Sequence, residues 1–323
     1  SYIFSDKTGT LTQNVMELKQ VSIAGRIFGA VGGAAGFQGS SSIEEACRKD
    51  GDFARSVDDF FEVLAVAHTV VVTEDQSGAL NYEAESPDEG ALVEAAAGVG
   101  WRFVGRKGQA MTIDRGTNSL SQSFTYTVLA LNAFTSARKR QSVIVSRPSG
   151  ELVLLVKGAD NVMLERAAKV DGSVPGHLTA FAEHGLRTLL LGRRLLPKEE
   201  FDKFREEYAK AQVVIDNREA ALAAAAESIE RDLEIVGVTA IEDKLQVGVE
   251  ETIERVRAAG IKLWVLTGDK LETARNIGFS TRVLSSEMYT LVLDAAPGDC
   301  LAVVDRVRGL LPRAMGVARE GKP

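Results

Sequence analysis

Residues 235–280, IVGVTAIEDKLQVGVEETIERVRAAGIKLWVLTGDKLETARNIGFS, alternate apolar runs of strand length with amphipathic runs of helix length. The spacing predicts a strand at Ile235–Ala240, a helix at Val247–Ala259, a strand at Ile261–Leu266, a loop at Thr267–Lys270 and a helix at Leu271–Ser280. Strands alternating with helices imply a parallel sheet with right-handed crossovers, in which ligands gather beyond the carboxyl ends of the strands. A second such end lies at the other extreme of the chain, where Ile3 and Phe4 run into Asp6-Lys7-Thr8-Gly9-Thr10-Leu11-Thr12. Two strand-end loops so far apart predict one α/β domain built from residues 1–18 and 235–323, interrupted by a large inserted domain at 19–234.

Within the insertion, residues 29–42 are rich in Gly and Ser and read as a loop. Asp58–Val72 has helical apolar spacing, with His68 read as a core-edge residue rather than a ligand. Ser86-Pro87-Asp88-Glu89 has the form of a helix start, with Ser as N-cap, Pro in the first turn and Glu three residues after the cap, so a helix is expected over about 87–98. Phe124–Phe134 reads as a strand, and Ser142–Ser146 with Glu151–Val156 as a hairpin around Arg147-Pro148-Ser149-Gly150. Helical patterns then run from Asp160 to Arg231, apart from a strand at Thr188–Arg193.

Composition narrows the function classes. Of the 323 residues, 45% are apolar and 26% charged, as in ordinary globular domains, so disorder and collagen-like repeats are excluded. A formal charge of −7 argues against nucleic acid as a partner. Cys47 and Cys300 are too few for a disulfide framework or a thiolate zinc site. No apolar run reaches the ~18–20 residues of a membrane-spanning helix. Ser1 stands in place of an initiator Met, and the first residues read as the end of a buried strand. The chain is therefore expected to be a piece of something longer.

Asp6 is a carboxylate at a strand end, followed by hydroxyls and free amides. A carboxylate so placed can attack a phosphoryl group and form an aspartyl phosphate. Attack of one anion on another requires neutralisation by a cation such as Mg²⁺ and by hydrogen-bond donors on the phosphate oxygens. A bare surface turn with a capping Asp is the competing reading of this segment. The glycines of residues 29–36 do not follow a strand and lack a Gly-Lys-Ser/Thr ending, which rejects a Walker-type loop.

Asp-Lys-Thr-Gly-Thr-Leu-Thr resembles the phosphorylation signature of the P-type ATPases. Ser-Pro-Asp-Glu (86–89), Phe-Thr-Ser-Ala-Arg-Lys-Arg (134–140), Lys-Gly-Ala-Asp (157–160), Ile-Glu-Asp-Lys-Leu-Gln (241–246) and Trp-Val-Leu-Thr-Gly-Asp-Lys (264–270) look like the type IV branch, the phospholipid flippases. The resemblance implies a haloacid-dehalogenase-like Rossmannoid phosphorylation domain, incomplete here, with a large inserted α+β nucleotide-binding domain. It makes Asp6 the phosphoryl acceptor, Asp6 and the Thr8 carbonyl Mg²⁺ ligands, and Lys7, Thr267, Gly268 and Asp269 neighbours of the phosphates. Phe134 matches the residue on which adenine stacks, Ser136 lies beside it, Lys157 meets the base or ribose, and Arg187 reaches the phosphates. Glu89 matches a nucleotide contact, but the capping pattern explains it equally well. Arg138, Lys139 and Arg140 either attract the triphosphate or form a wet edge.

The resemblance further implies ATP as substrate, phospholipid handled by membrane helices, a possible accessory membrane subunit, and a place on the cytosolic face of a membrane. It weakens after about Leu284. The family's Gly-Asp-Gly-x-Asn-Asp loop does not occur between Lys270 and Pro323, so nucleotide binding is expected to persist while phosphoryl transfer by this chain alone is expected to be slow. Two rival readings are a truncated, non-catalytic nucleotide-binding module and a soluble haloacid-dehalogenase-like phosphatase. The second rival usually carries an Asp two positions after the nucleophile, where this chain has Thr8.

Overall fold

The computed structural model describes residues 1–32, 35–74, 80–116, 121–214, 216–268, 271–285, 288, 290, 292 and 308–309. Along the chain run β1 (Tyr2–Asp6), β2 (Thr12–Ile23), β3 (Arg26–Gly29), α1 (Ser40–Lys49), α2 (Gly51–Val66), β4 (Val71–Glu74), β5 (Leu80–Glu83) and α3 (Pro87–Gly98). Next come β6 (Trp101–Lys107), β7 (Ala110–Arg115), β8 (Gln122–Asn132), β9 (Arg140–Ser146), β10 (Leu152–Gly158), α4 (Asp160–Glu165), β11 (Ala167–Lys169) and α5 (Val174–Glu183). The remainder are β12 (Arg187–Leu195), α6 (Lys198–Gln212), α7 (Arg218–Ile229), β13 (Leu233–Leu245), α8 (Val249–Ala258), β14 (Lys262–Leu266) and α9 (Leu271–Ser280). The chain divides into two units, Ser1–Leu11 with Leu245–Pro323, and Thr12–Lys244.

The larger unit is built on a ten-stranded sheet with the path β3-β2-β13-β12-β10-β9-β8-β7-β6, and β11 off that path pairs in parallel with β13. Its central strands carry continuous apolar runs, Val143–Val145, Leu152–Val156 and Leu189–Leu191, because both faces are covered there. Val143, Val145, Val153, Leu155 and Leu191 join the core formed with Phe60, Phe61, Leu64 and Leu92 of α2 and α3. The alternate residues Ile144, Leu154, Val156 and Leu190 join a second core with Phe181, Phe204 and Ile229 of α5, α6 and α7. This is the period-two consequence of the pleat: neighbours along a strand serve opposite layers.

The expected boundaries at 18/19 and 234/235 fall inside strands β2 and β13. The expected parallel placement of Ile235–Ala240 is corrected as well. Those residues lie in β13, which pairs antiparallel with β12 from Arg187↔Ile241 to Arg193↔Glu234. The sequence pattern misleads here because β13 is buried on both faces of an antiparallel sheet, and such a strand has the continuous apolar character usual for parallel ones. The Asp58–Val72 helix is also shifted. α2 starts at Gly51, where the Asp50 side chain accepts from Phe53 N at 3.0 Å, and ends at Val66.

In the smaller unit β1 and β14 do pair in parallel, in the register Tyr2↔Lys262 to Asp6↔Leu266. α8 packs on β14. Ser5, Leu263 and Val265 are half-buried, whereas the alternate residues Tyr2, Phe4, Trp264 and Leu266 are each more than half exposed. The Phe4 and Trp264 rings stack on this open side with centroids 6.2 Å apart.

Candidate functional site

Two groups of residues are brought together, one in each unit. In the smaller unit, the parallel register sets Asp6 beside Leu266, so the loops starting at Lys7 and at Thr267 leave the same carboxyl edge of the sheet. The loop after Asp6 closes as a tight turn: Thr10 N and Leu11 N donate to Lys7 O at 3.4 and 2.9 Å. Gly9 takes φ +74°, a left-handed conformation in which a Cβ is strained. Leu11 O accepts from Gln246 N at 2.9 Å, which ties the far end of the turn. Asp6 is exposed, and its Oδ1 accepts from Lys7 N at 2.7 Å, while Oδ2 has no hydrogen-bond partner among the described residues. The Lys7 side chain is buried, and Thr8 and Gly268 are exposed. Asp269 lies outside the described residues.

No group of three His, Cys, Asp or Glu side chains suited to a metal ion occurs among the described residues. The oxygen donors at the turn, the Asp6 carboxylate and the Thr8 carbonyl, are of the hard type Mg²⁺ prefers. They fit an ion that keeps most of its shell as water and phosphate oxygen.

In the larger unit, the site forms at one end of the sheet. Gly158, at the end of β10, lies opposite Arg140 of β9 and Leu190 of β12, and Asn132 at the end of β8 lies opposite Ser142. That places the 133–139 loop, Lys157 and Arg187 at the same edge. Gly158 is required by close approach, since a Cβ there would lie 2.6 Å from Arg140 Cβ and 2.9 Å from Lys139 O. Ala159 N donates to Lys139 O at 3.0 Å, and Lys139 N to Thr135 O at 2.8 Å. Lys139 itself is left-handed at φ +51°, an uncommon state for a residue with a Cβ, and its side chain is exposed. The ring of Phe134 is 58% exposed, and Ser136 is exposed next to it.

Lys157 does not end in solvent. Its side chain is 6% exposed and its Nζ donates to Glu89 Oε1 at 2.7 Å. Glu89 is its only hydrogen-bond partner among the described residues, which leaves two of the three ammonium donors unmatched there. Glu89 Oε2 accepts from Thr69 N at 3.2 Å and Thr69 Oγ1 at 2.5 Å. The capping-box alternative for Glu89 is thereby settled: Ser86 makes no side-chain cap, and the Glu89 carboxylate turns inward. Burial alone would push the Glu89 carboxyl up, but the Lys157 charge and the Thr69 donors outweigh it and hold it at about 2. For Lys157 burial dominates and lowers the ammonium's pKa, with Glu89 opposing.

His68 lies fully buried, deeper than the core-edge place expected for it. Its Nδ1 accepts from Val70 N at 3.1 Å, its Nε2 lies 2.8 Å from Ala65 O, and burial drives its pKa down to about 3. It shapes the turn that presents Thr69 to Glu89. Arg187 Nη1 lies 3.0 Å from Asp88 Oδ2 and 3.2 Å from Oδ1. Asp88 and Thr69 were not singled out from sequence, and Lys139 only as one of the three cations Arg138–Arg140. Asp88 was legible only as the neighbour of Glu89, and Thr69 not at all, since its role depends on a contact across the fold.

A sequence profile for the family described as P-type ATPase, cytoplasmic domain N, matches residues 56–248, more than half of the chain. The chain belongs to the P-type ATPases. Among its relatives, Phospholipid-transporting ATPase IC of Homo sapiens is 43% identical over 309 residues, covering 88% of this chain and 24% of that protein. Phospholipid-transporting ATPase ID of Mus musculus is 41% identical over 315 residues, covering 89% and 26%. Phospholipid-transporting ATPase DRS2 of Saccharomyces cerevisiae is 40% identical over 328 residues, covering 97% and 24%. The chain thus spans about a quarter of the length of the curated P-type ATPases it matches. No helix among the described residues is long and apolar enough to cross a membrane.

Proposed function

We propose that this chain is the nucleotide-binding and phosphorylation region of a P-type ATPase that couples ATP hydrolysis to phospholipid translocation, at the cytosolic face of a membrane. In this reading Thr12–Lys244 is the nucleotide-binding domain, and the smaller unit is a haloacid-dehalogenase-like phosphorylation domain. Phospholipid and any accessory membrane subunit engage membrane helices outside this sequence. The names of the relatives support this assignment.

Adenine stacks on Phe134, beside Ser136, and the unmatched donors of Lys157 meet acceptors on the base or ribose. Glu89 keeps Lys157 charged and in place. Arg187 and Lys139 attract phosphate oxygens, the first as a planar fork and the second as a point charge. Asp6 Oδ2 attacks the γ-phosphorus, the bond from phosphorus to the ADP oxygen breaks, and an aspartyl phosphate forms. Lys7, the Thr267 hydroxyl and the Gly268 amide offset charge on the transferred group, and Asp269 is next in sequence. Asp6 and the Thr8 carbonyl would hold Mg²⁺, which would supply the neutralising charge that attack of an anion on a phosphate needs.

The observation that carries this reading is a buried ammonium with unmatched donors at the same sheet end as an exposed aromatic ring. Calorimetric titration of the chain with ATP tests it. Phe134→Ala is expected to weaken binding by about 1–3 kcal/mol, the usual worth of a base stacked on an aromatic ring. Absence of ATP binding by the parent chain would reject the nucleotide reading.

A further inference from the structure

Glu230 caps the carboxyl end of α7 and is wholly buried. Both of its oxygens are engaged by the segment that carries Phe134. Oε1 accepts from Arg138 Nη2 and from Ser142 Oγ, the latter at 2.5 Å, and Oε2 accepts from Arg140 Nε at 2.6 Å. Arg138 then turns back on its own loop, with Nη1 donating to Ala133 O at 2.7 Å, one residue before Phe134. Arg140 Nη1 donates to Arg138 O at 3.1 Å, and its Nη2 pairs with Glu227, which also holds Arg166. Asn132 Nδ2 donates to Ser142 Oγ at 2.9 Å, so the residues on both sides of the 133–139 loop reach the same carboxylate. Arg138 and Arg140 are therefore neither a wet edge nor free to meet a triphosphate.

We propose that Glu230 is a positioning residue for the nucleotide: through Arg138 and Arg140 it fixes the 133–139 loop, and with it the ring on which adenine stacks. The inference rests on the nucleotide reading above. Phe134 is too exposed for packing to set its orientation, so its stance follows from the backbone that carries it. A loop ordered in advance loses less entropy when ligand binds. Apolar residues in place of a buried ion cluster are often no less stable, so stability alone does not account for the cluster.

The test compares ATP affinity, followed by NMR titration, in the parent chain, Phe134→Ala, Glu230→Gln, Arg138→Met, and each of the last two combined with Phe134→Ala. Glu230→Gln and Arg138→Met are expected to weaken ATP binding about tenfold alone and to add almost nothing once Phe134 is gone, the signature of coupled sites. Should Glu230→Gln unfold, Arg138→Met leaves the Arg140–Glu230 pair intact and carries the test. A folded Arg138→Met chain with parental affinity, or losses that add in full to that of Phe134→Ala, would overturn the positioning role. A parent chain that binds no ATP rejects the nucleotide reading instead.

Discussion

Replacing Asp6 by Asn is expected to lower the chain's already slow formation of hydroxylamine-labile phosphoprotein from Mg-ATP by roughly three orders of magnitude or more, as loss of a covalent nucleophile does. The carboxamide keeps the size of the side chain and can still accept from Lys7 N, as Asp6 Oδ1 does at 2.7 Å, so the turn should survive. What disappears is the anionic oxygen that forms the bond to phosphorus. ATP affinity, which the proposed reading assigns to Thr12–Lys244, should not fall with it. Acid-quenched ³²P labelling with and without hydroxylamine measures the effect, and a labile phosphate persisting at parental level in the Asn variant would place the acceptor elsewhere.

Glu89→Leu is expected to destabilise the larger unit by about 3–5 kcal/mol, because it strands the Lys157 ammonium without its counter-charge. Removing both charges in Glu89→Leu/Lys157→Met should recover most of that loss, since a well-packed apolar pair often matches a buried ion pair. The same pair sets an acid limit. The folded Glu89 carboxyl stays ionised down to about 2, against an ordinary value of 4.5, so its stabilising contribution is complete above pH 4.5 and fades as pH falls from there toward 2. Chemical denaturation of parent, single and double variants at pH 7 and pH 3.5 reads both effects. A single variant as stable as the parent, or a double variant worse than the single, would contradict this account.

The placement of Asp6 and Thr267 at strand ends was legible in the sequence. Asp6 and Thr267 lie at the carboxyl ends of strands because a run of apolar residues stops abruptly at a turn-rich segment, and that signal is local. The helix beginning at Pro87 and the turn at Arg147–Gly150 were legible for the same reason. The boundary between the units was not, since β2 and β13 continue the apolar runs of the central sheet and carry no break in composition where the units divide. Nor was the inward turn of Glu89, because a capping pattern and a buried ion pair use the same residue at the same spacing. Glu230 gave no signal either. In sequence it is one more acid at the end of an alanine-rich helix, and only the fold brings it to Arg138 and Arg140.

The chain's two tryptophans stand in opposite surroundings, one in each unit. Trp264 lies open beside Phe4, whereas Trp101 is buried with the Arg115 guanidinium 4.1 Å from its ring centroid. Iodide should quench the fluorescence of the first and scarcely touch the second, so a single cuvette separates the melting of the smaller unit from that of the larger one without any attached dye.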